Sequence, residues 1–236
     1  MLELKNISFG YKKSDKLILD QLSLKINSGE IVSLIGPTGV GKTTLINIIA
    51  GYLRPDGGEI LVQGKRVSKP GRDRIVINQE NDLFPWLNVF DQLSFVLKDV
   101  GKIEELLKLA GLSDCKNKYP HELSGGMKKR LSFARALALD ADFIIMDEPF
   151  ASQDVKMRTK LYEDLLQIAK RDKKTIFLVT HDLEEAVLLS DRILVLGGQP
   201  ARIVDEYKIS FSQDRTCLDE EGLALKRRLE ELGYNV

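Results

Sequence analysis

Gly36, Pro37, Thr38, Gly39, Val40, Gly41, Lys42 and Thr43 match the phosphate-cradling pattern G-x-x-x-x-G-K-[ST] at every fixed position. Glycine at 36, 39 and 41 admits backbone turns closed to residues with a Cβ, so successive N–H groups can face phosphate oxygens at a helix N-terminus. On this pattern Lys42 reaches the β- and γ-phosphates, Thr43 sets its hydroxyl on Mg²⁺, and Thr44 hydrogen-bonds the α-phosphate. The chemistry is that of a nucleoside triphosphate site. A plain glycine-rich helix cap is the alternative, and the flanks argue against it. Ile31 to Ile35 is a short, β-branched run of strand type, and Leu45 to Ala50 continues apolar on a helical repeat.

Further polar groups follow short apolar runs. Asp147 and Glu148 end the run Phe143 to Met146. Two acids at a strand end can be solvated surface, but behind a phosphate loop they divide the work. Asp147 holds Mg²⁺, usually through water, and Glu148 accepts a proton from the attacking water. Ser124, Gly125 and Gly126 open a helix, offering a hydroxyl and free N–H groups to an anion, although alone they read as a serine N-cap. His181, one of only two histidines, follows the run Thr175 to Leu178, and Gln79 follows Arg74 to Asn78.

Taken in order, these segments resemble the motifs of ATP-binding cassette (ABC) proteins. Leu123 to Met127 is similar to the LSGGQ signature, with Met127 in place of Gln and a basic helix after it. Asp147 and Glu148 resemble the Walker B end and its catalytic carboxylate. Phe150 to Asp154 falls where the family carries its D-loop, with Asp154 matching and Gln153 departing from leucine. The resemblance implies that His181 contacts the γ-phosphate and that Gln79 senses Mg²⁺ and the attacking water, although Asn78 stands where an aromatic residue is common. It implies that Tyr11 stacks on adenine, the alternative being a surface tyrosine in a turn. Seven ordered matches span residues 11 to 181.

The elements that must carry these groups read as α/β. Strands are expected at Leu2 to Ser8, Ile18 to Ile26, Ile31 to Ile35, Ile60 to Val62, Ile75 to Asn78, Phe143 to Met146, Ile176 to Val179, Ile193 to Leu196 and Arg202 to Tyr207. Between Asp82 and Leu139, Ile103, Leu106, Leu107 and Ala110 recur at helical spacing, Gly111 can stop that helix and Ser124 can start the next. Leu161, Leu165, Ile168 and Ala169 form one helix face suited to covering a sheet, and Leu225, Leu229 and Leu232 stripe a charged C-terminal helix over Asp219 to Leu232. The resemblance implies a P-loop NTPase of ABC type: a RecA-like core, an antiparallel β subdomain and an inserted α-helical subdomain. One ABC ATPase domain is expected over 1–236, with the catalytic core at 1–81 and 140–236 and the helical subdomain at about 82–139.

Composition fits this reading. At 236 residues and 43% hydrophobic, the chain can bury about 70% of its unfolded surface without staples. Cys115 and Cys217 have no C-x-x-C or His-rich context, so a reducing compartment fits and a zinc site does not. Lys plus Arg and Asp plus Glu balance at 35 each, which argues against a nucleic-acid partner. No apolar run approaches the roughly 20 residues of a membrane span, and the first residues lack a signal-peptide pattern. A soluble chain inside the cell is expected, peripheral to the cytoplasmic face of the membrane.

The function implied by the resemblance is the ATP-binding, ATP-hydrolysing subunit of a transporter, with ATP and Mg²⁺ as cofactors. Two such subunits, taken as a homodimer, sandwich two ATP molecules, and Ser124, Gly125 and Gly126 of one complete the site of the other. Transmembrane permease subunits are expected to dock around Gln79 to Trp86, and a separate solute-binding protein to deliver cargo. The L-x-P-W phrase Leu83 to Trp86 resembles importer ATPases of the nitrate, sulfonate and taurine group. Trp86 itself has two readings, a core aromatic under a turn or an anchor for a permease helix. The rival functions are a soluble ABC ATPase of DNA repair or translation, whose long coiled coil or second cassette is missing here, and a P-loop GTPase or small-molecule kinase. The latter leaves the signature unexplained, and Asn117, Lys118, Tyr119 and Pro120 lack the final Asp of a guanine-reading N-K-x-D.

Overall fold

Five-residue apolar runs become the central strands because no face of them is left to solvent. In the computed structural model, which describes residues 1–12, 16–78, 83–150, 155–209 and 218–234, β3 (Ile31–Ile35) and β8 (Thr175–Val179) are buried at every position. β7 (Phe143–Asp147) is buried up to its last residue. Such unbroken burial belongs to parallel strands covered on both sides. With β6 (Arg74–Ile77), β9 (Arg192–Gly197) and β10 (Arg202–Lys208) they form a six-stranded sheet of order β10-β9-β3-β8-β7-β6. All its pairings are parallel except β9 with β10 at one edge.

A second, antiparallel sheet has the order β2-β1-β4-β5, from β1 (Leu2–Gly10), β2 (Leu17–Ile26), β4 (Gly57–Val62) and β5 (Lys65–Arg66). β5 is absent from the sequence expectations because two charged residues carry no strand pattern. The turn makes it: Gln63 and Gly64 both have positive φ, 51° and 74°, the two-residue hairpin geometry that matches strand twist. Between the two sheets, α1 (Lys42–Ala50) buries Leu45, Ile46, Ile48 and Ile49 against Leu4, Ile7, Leu22, Val32, Phe143 and Phe177. A fully buried aliphatic side chain of this kind stabilises by about 1.5–3 kcal/mol.

The segment between β6 and β7 is helical, as its spacing predicts, but its described residues contain one more α-helix than the pattern announced, with 3-10 turns at Ser113–Cys115 and Pro120–Glu122. α2 (Val89–Ser94) is capped by the Asn88 side chain, which accepts from the Asp91 N–H at 2.8 Å. α3 (Val100–Leu109) carries Ile103 and Leu107 inward and ends before Gly111, whose φ is 61°. α4 (Gly125–Ala138) begins at Ser124, whose hydroxyl accepts from the Met127 N–H at 3.3 Å. α4 joins two cores. Leu131, Ala134 and Ala138 pack with α2 and α3, whereas Phe133 and Ala136 pack on the sheet beside Ile144 and Leu165.

On that side of the sheet lies α5 (Val155–Asp172), with Leu161, Leu165, Ile168 and Ala169 buried as expected. α6 (Leu183–Leu189) covers β3 and β9, and α7 (Glu220–Glu231) packs on it by burying Leu229 completely. The predicted stripe is only partly used: Leu225 is half-buried and Leu232 is exposed.

Candidate functional site

Parallel order in the large sheet decides where the chemistry gathers. β3, β7 and β8 are neighbours, and Asp147 pairs with Val179, which pairs with Leu34, so the C-terminal ends of all three strands lie at one edge. Sites in open α/β sheets form at that edge. From β3 the chain enters the phosphate loop. Gly36 is confined between its φ of 153° and the carbonyl oxygen of Leu196, with which any Cβ would collide. Gly41 caps α1 in a left-handed conformation, φ 117°, without a capping side chain, so the helix N-terminus keeps its N–H groups for an anion.

Lys42 is folded back over its own loop, donating to the carbonyl oxygens of Gly36 at 2.5 Å and Pro37 at 3.1 Å. Burial pushes its pKa down, opposed by the nearby Glu148 and Asp147. A phosphate placed there restores the charge balance that burial removes. Thr43 donates to Asp147 Oδ2 at 3.5 Å, and Thr44 shares a hydrogen bond of 3.2 Å with the Tyr11 hydroxyl. Tyr11 stands edge-on to Phe9, ring centroids 5.1 Å apart, and remains 45% exposed. Sequence reasoning gave Thr44 to the α-phosphate; here its hydroxyl also reaches Tyr11.

Asp147 is pushed up from the usual carboxylate range, first by burial and then by its neighbour Glu148. Its oxygen and the Thr43 hydroxyl form a hard-oxygen pair of the kind Mg²⁺ takes alongside phosphate and water. Past the strand end, Glu148 has a left-handed backbone, φ 46°, with its N–H on the Val179 carbonyl at 2.9 Å. That conformation costs a non-glycine residue of order 1–3 kcal/mol and collects at functional sites. It brings Glu148 Oε1 to 3.2 Å from His181 Nδ1. Lys129 of α4, its pKa lowered by burial, donates to the Glu148 carbonyl oxygen at 3.3 Å. In the sequence Lys129 reads only as part of the basic cluster Lys128 to Arg130, a solvated helix face with some phosphate-loop electrostatics; its bond to Glu148 is not visible there.

Ser124 and Gly125 are exposed at the start of α4, free to meet a partner molecule. Gln79 and Asp154 lie outside the described residues. Trp86 corrects the core reading: it is 69% exposed. The reason is the buried amide of Gln92, which ties the turn down by accepting from the Phe84 N–H and donating to the Phe84 and Leu87 carbonyls, so Phe84 packs and Trp86 does not. Trp86 leans on Phe84, which touches Phe95 and lies under the Arg135 guanidinium at 5.0 Å. No helix among the described residues is long and apolar enough to cross a membrane.

Comparison with known proteins gives the family. Residues 19–151 match the ABC transporter family. An uncharacterized ABC transporter ATP-binding protein of Methanocaldococcus jannaschii is 41% identical over 219 residues, 89% of this chain and 82% of the relative. A taurine import ATP-binding protein of Roseobacter denitrificans is 41% identical over 202 residues, 82% of this chain and 75% of the relative. The dimeric, post-hydrolysis structure of an ATP-binding cassette bound to ADP and Pi superposes with a TM-score of 0.79 at 30% identity, covering 90% of this chain and all of that one. On the family match and these identities, the chain belongs to the ABC transporter family, as an ATP-binding and ATP-hydrolysing subunit.

Proposed function

We propose that this subunit energises import of a small solute of the taurine, sulfonate and nitrate group through separate membrane subunits. The observation that carries the catalytic part is the contact of Glu148 with His181, beside the phosphate loop and the Thr43–Asp147 pair. In this reading Gly36 to Thr44 and the α1 N-terminus bind the phosphates, Lys42 neutralises the β- and γ-oxygens, and Tyr11 meets the adenine. Thr43 and Asp147 hold Mg²⁺, which, when bound, supplies charge stabilisation to the phosphates. Glu148 accepts a proton from the attacking water, while His181 orients that carboxylate through Nδ1 and meets the γ-phosphate with its other nitrogen. Gln79 and Asp154 complete the site on sequence grounds.

Two copies form the working unit, each displaying the Ser124 end of α4 to the other's ATP. The similar taurine import ATP-binding proteins and the L-x-P-W phrase support the cargo class. The exposed Trp86 and Phe95 beside Phe84 support docking of a permease helix at the junction of the core (1–81, 140–236) and helical (about 82–139) subdomains, on the cytoplasmic face of the membrane. A solute-binding protein belongs to the same assembly. The test is to purify the complex that this chain forms in detergent, reconstitute it in liposomes, and follow uptake of labelled taurine, an alkanesulfonate and nitrate. ATP-dependent uptake of one of them is expected. A chain that co-purifies with DNA-repair or ribosomal components and no membrane protein contradicts the reading.

A further inference from the structure

Behind the loop that bears His181 lies a carboxylate that the proposed reaction does not use. Glu185, in the first turn of α6, is 4% exposed and accepts two hydroxyl hydrogen bonds. One comes from Thr180 at 2.5 Å and the other from Tyr162 of α5 at 3.0 Å. The Thr180 hydroxyl in turn accepts from the Asp182 N–H at 3.0 Å, so the residues on either side of His181 are fixed through one oxygen. Asp182 caps α6 by accepting from the Glu184 and Glu185 N–H groups, and Arg158 of α5 pairs with it at 3.1 Å. Burial raises the pKa of Glu185 and also that of Tyr162, which shows what the arrangement costs.

Apolar side chains in place of the whole network avoid that cost, since buried polar groups are often no more stabilising than well-packed hydrophobic ones. What a fully bonded network adds is a single geometry. Here the geometry concerns one loop, and its exposed member is the imidazole 3.2 Å from Glu148. We infer that Glu185 is a positioning residue for hydrolysis: with Thr180 and Tyr162 it locks the His181 loop to α5 and thereby sets the imidazole against Glu148. This rests on the reading of Glu148 and His181 given under Proposed function.

The experiment is steady-state ATP hydrolysis by the full chain carrying Glu185→Leu, Glu185→Gln, Tyr162→Phe or Thr180→Val, each made in the parental and in the His181→Ala background, with thermal unfolding of every variant. Glu185→Leu is expected to lower kcat by about 100-fold, the scale of a misplacement near 1 Å, while KM for ATP stays near the parental value. Glu185→Gln, which keeps one acceptor, recovers part of the rate. In the His181→Ala background the Glu185 changes cost little more, because groups acting as one unit are not additive. Should Glu185→Leu fail to fold, Tyr162→Phe and Thr180→Val decide by the same two criteria. Unchanged kcat in the folded variants, or an undiminished further loss in the His181→Ala background, overturns the inference. If His181→Ala alone leaves hydrolysis intact, the reading of His181 fails, a different result from an inactive His181→Ala beside fully active Glu185 variants.

Discussion

At the scale of single residues, the site keeps groups in states that the fold alone does not favour. Asp147 is the clearest case, its pKa raised by burial and by Glu148. A carboxyl whose pKa is higher folded than unfolded binds more protons in the folded state between the two values, so stability falls as pH rises through that window. At neutral pH the charged Asp147 therefore weakens the nucleotide-free fold. Asp147→Asn is expected to raise Tm at pH 7 and to lose that advantage as pH drops below the ordinary carboxylate range, while ATP hydrolysis is lost. Thermal unfolding at the two pH values checks it, and a lower Tm at pH 7 contradicts it. Tyr11 is exposed and braced by Phe9 and Thr44, as a stacking platform requires. Tyr11→Ala is expected to weaken ATP binding by about 1–3 kcal/mol, the worth of one base stacked on an aromatic ring. Equal affinity in calorimetric titration returns Tyr11 to its surface reading.

At the scale of elements, helix ends and strand ends carry the function. Ser124 caps α4 and is exposed, so Ser124→Arg is expected to block ATP-driven pairing of subunits by filling the face offered to the partner's phosphate, without unfolding α4. Sedimentation with ATP measures this, and unaltered dimerisation removes the trans role. α7 is attached chiefly by Leu229, fully buried against Leu183, Val187 and Ile193, so Leu229→Ala is expected to cost about 2–5 kcal/mol in denaturant unfolding. The longer strands and helices were legible beforehand. The expected strand at Ile31 to Ile35 coincides with β3, and that at Ile176 to Val179 falls one residue short of β8, because complete burial leaves continuous apolar sequence. β5 and α2 were not legible, since a two-residue hairpin partner and a six-residue helix capped by Asn88 are too short to show periodicity. For Trp86 the sequence left core and exposed anchor both open, because the choice depends on Gln92, buried by tertiary packing, holding the turn from below.

At the scale of the whole molecule, the fold gathers residues far apart in sequence at one sheet edge and, among the described residues, leaves an aromatic face and a nucleotide face exposed. Motif order pointed to the phosphate face, since Gly36 to Thr43, Glu148 and His181 each follow a strand, whereas Ser124 opens a helix apart from them. Geometry added what spacing cannot give: the left-handed backbone of Glu148, the Lys129 bond from α4 and the Glu185 network behind His181. One exposed surface is the aromatic face of Phe84, Trp86 and Phe95, and Trp86→Ala is expected to release membrane subunits in detergent while the chain still folds and binds ATP. The other is the nucleotide face, where two copies are proposed to share two ATP molecules. There Glu148 is proposed to take the proton from water, and hydrolysis to open the dimer. The direct measurement is ATP turnover of Glu148→Gln at saturating ATP and Mg²⁺, with sedimentation of the same sample. The expected result is a loss of about 10² to 10⁴ in rate, with ATP still bound and a dimer that persists. Turnover near the parental rate contradicts this role of Glu148.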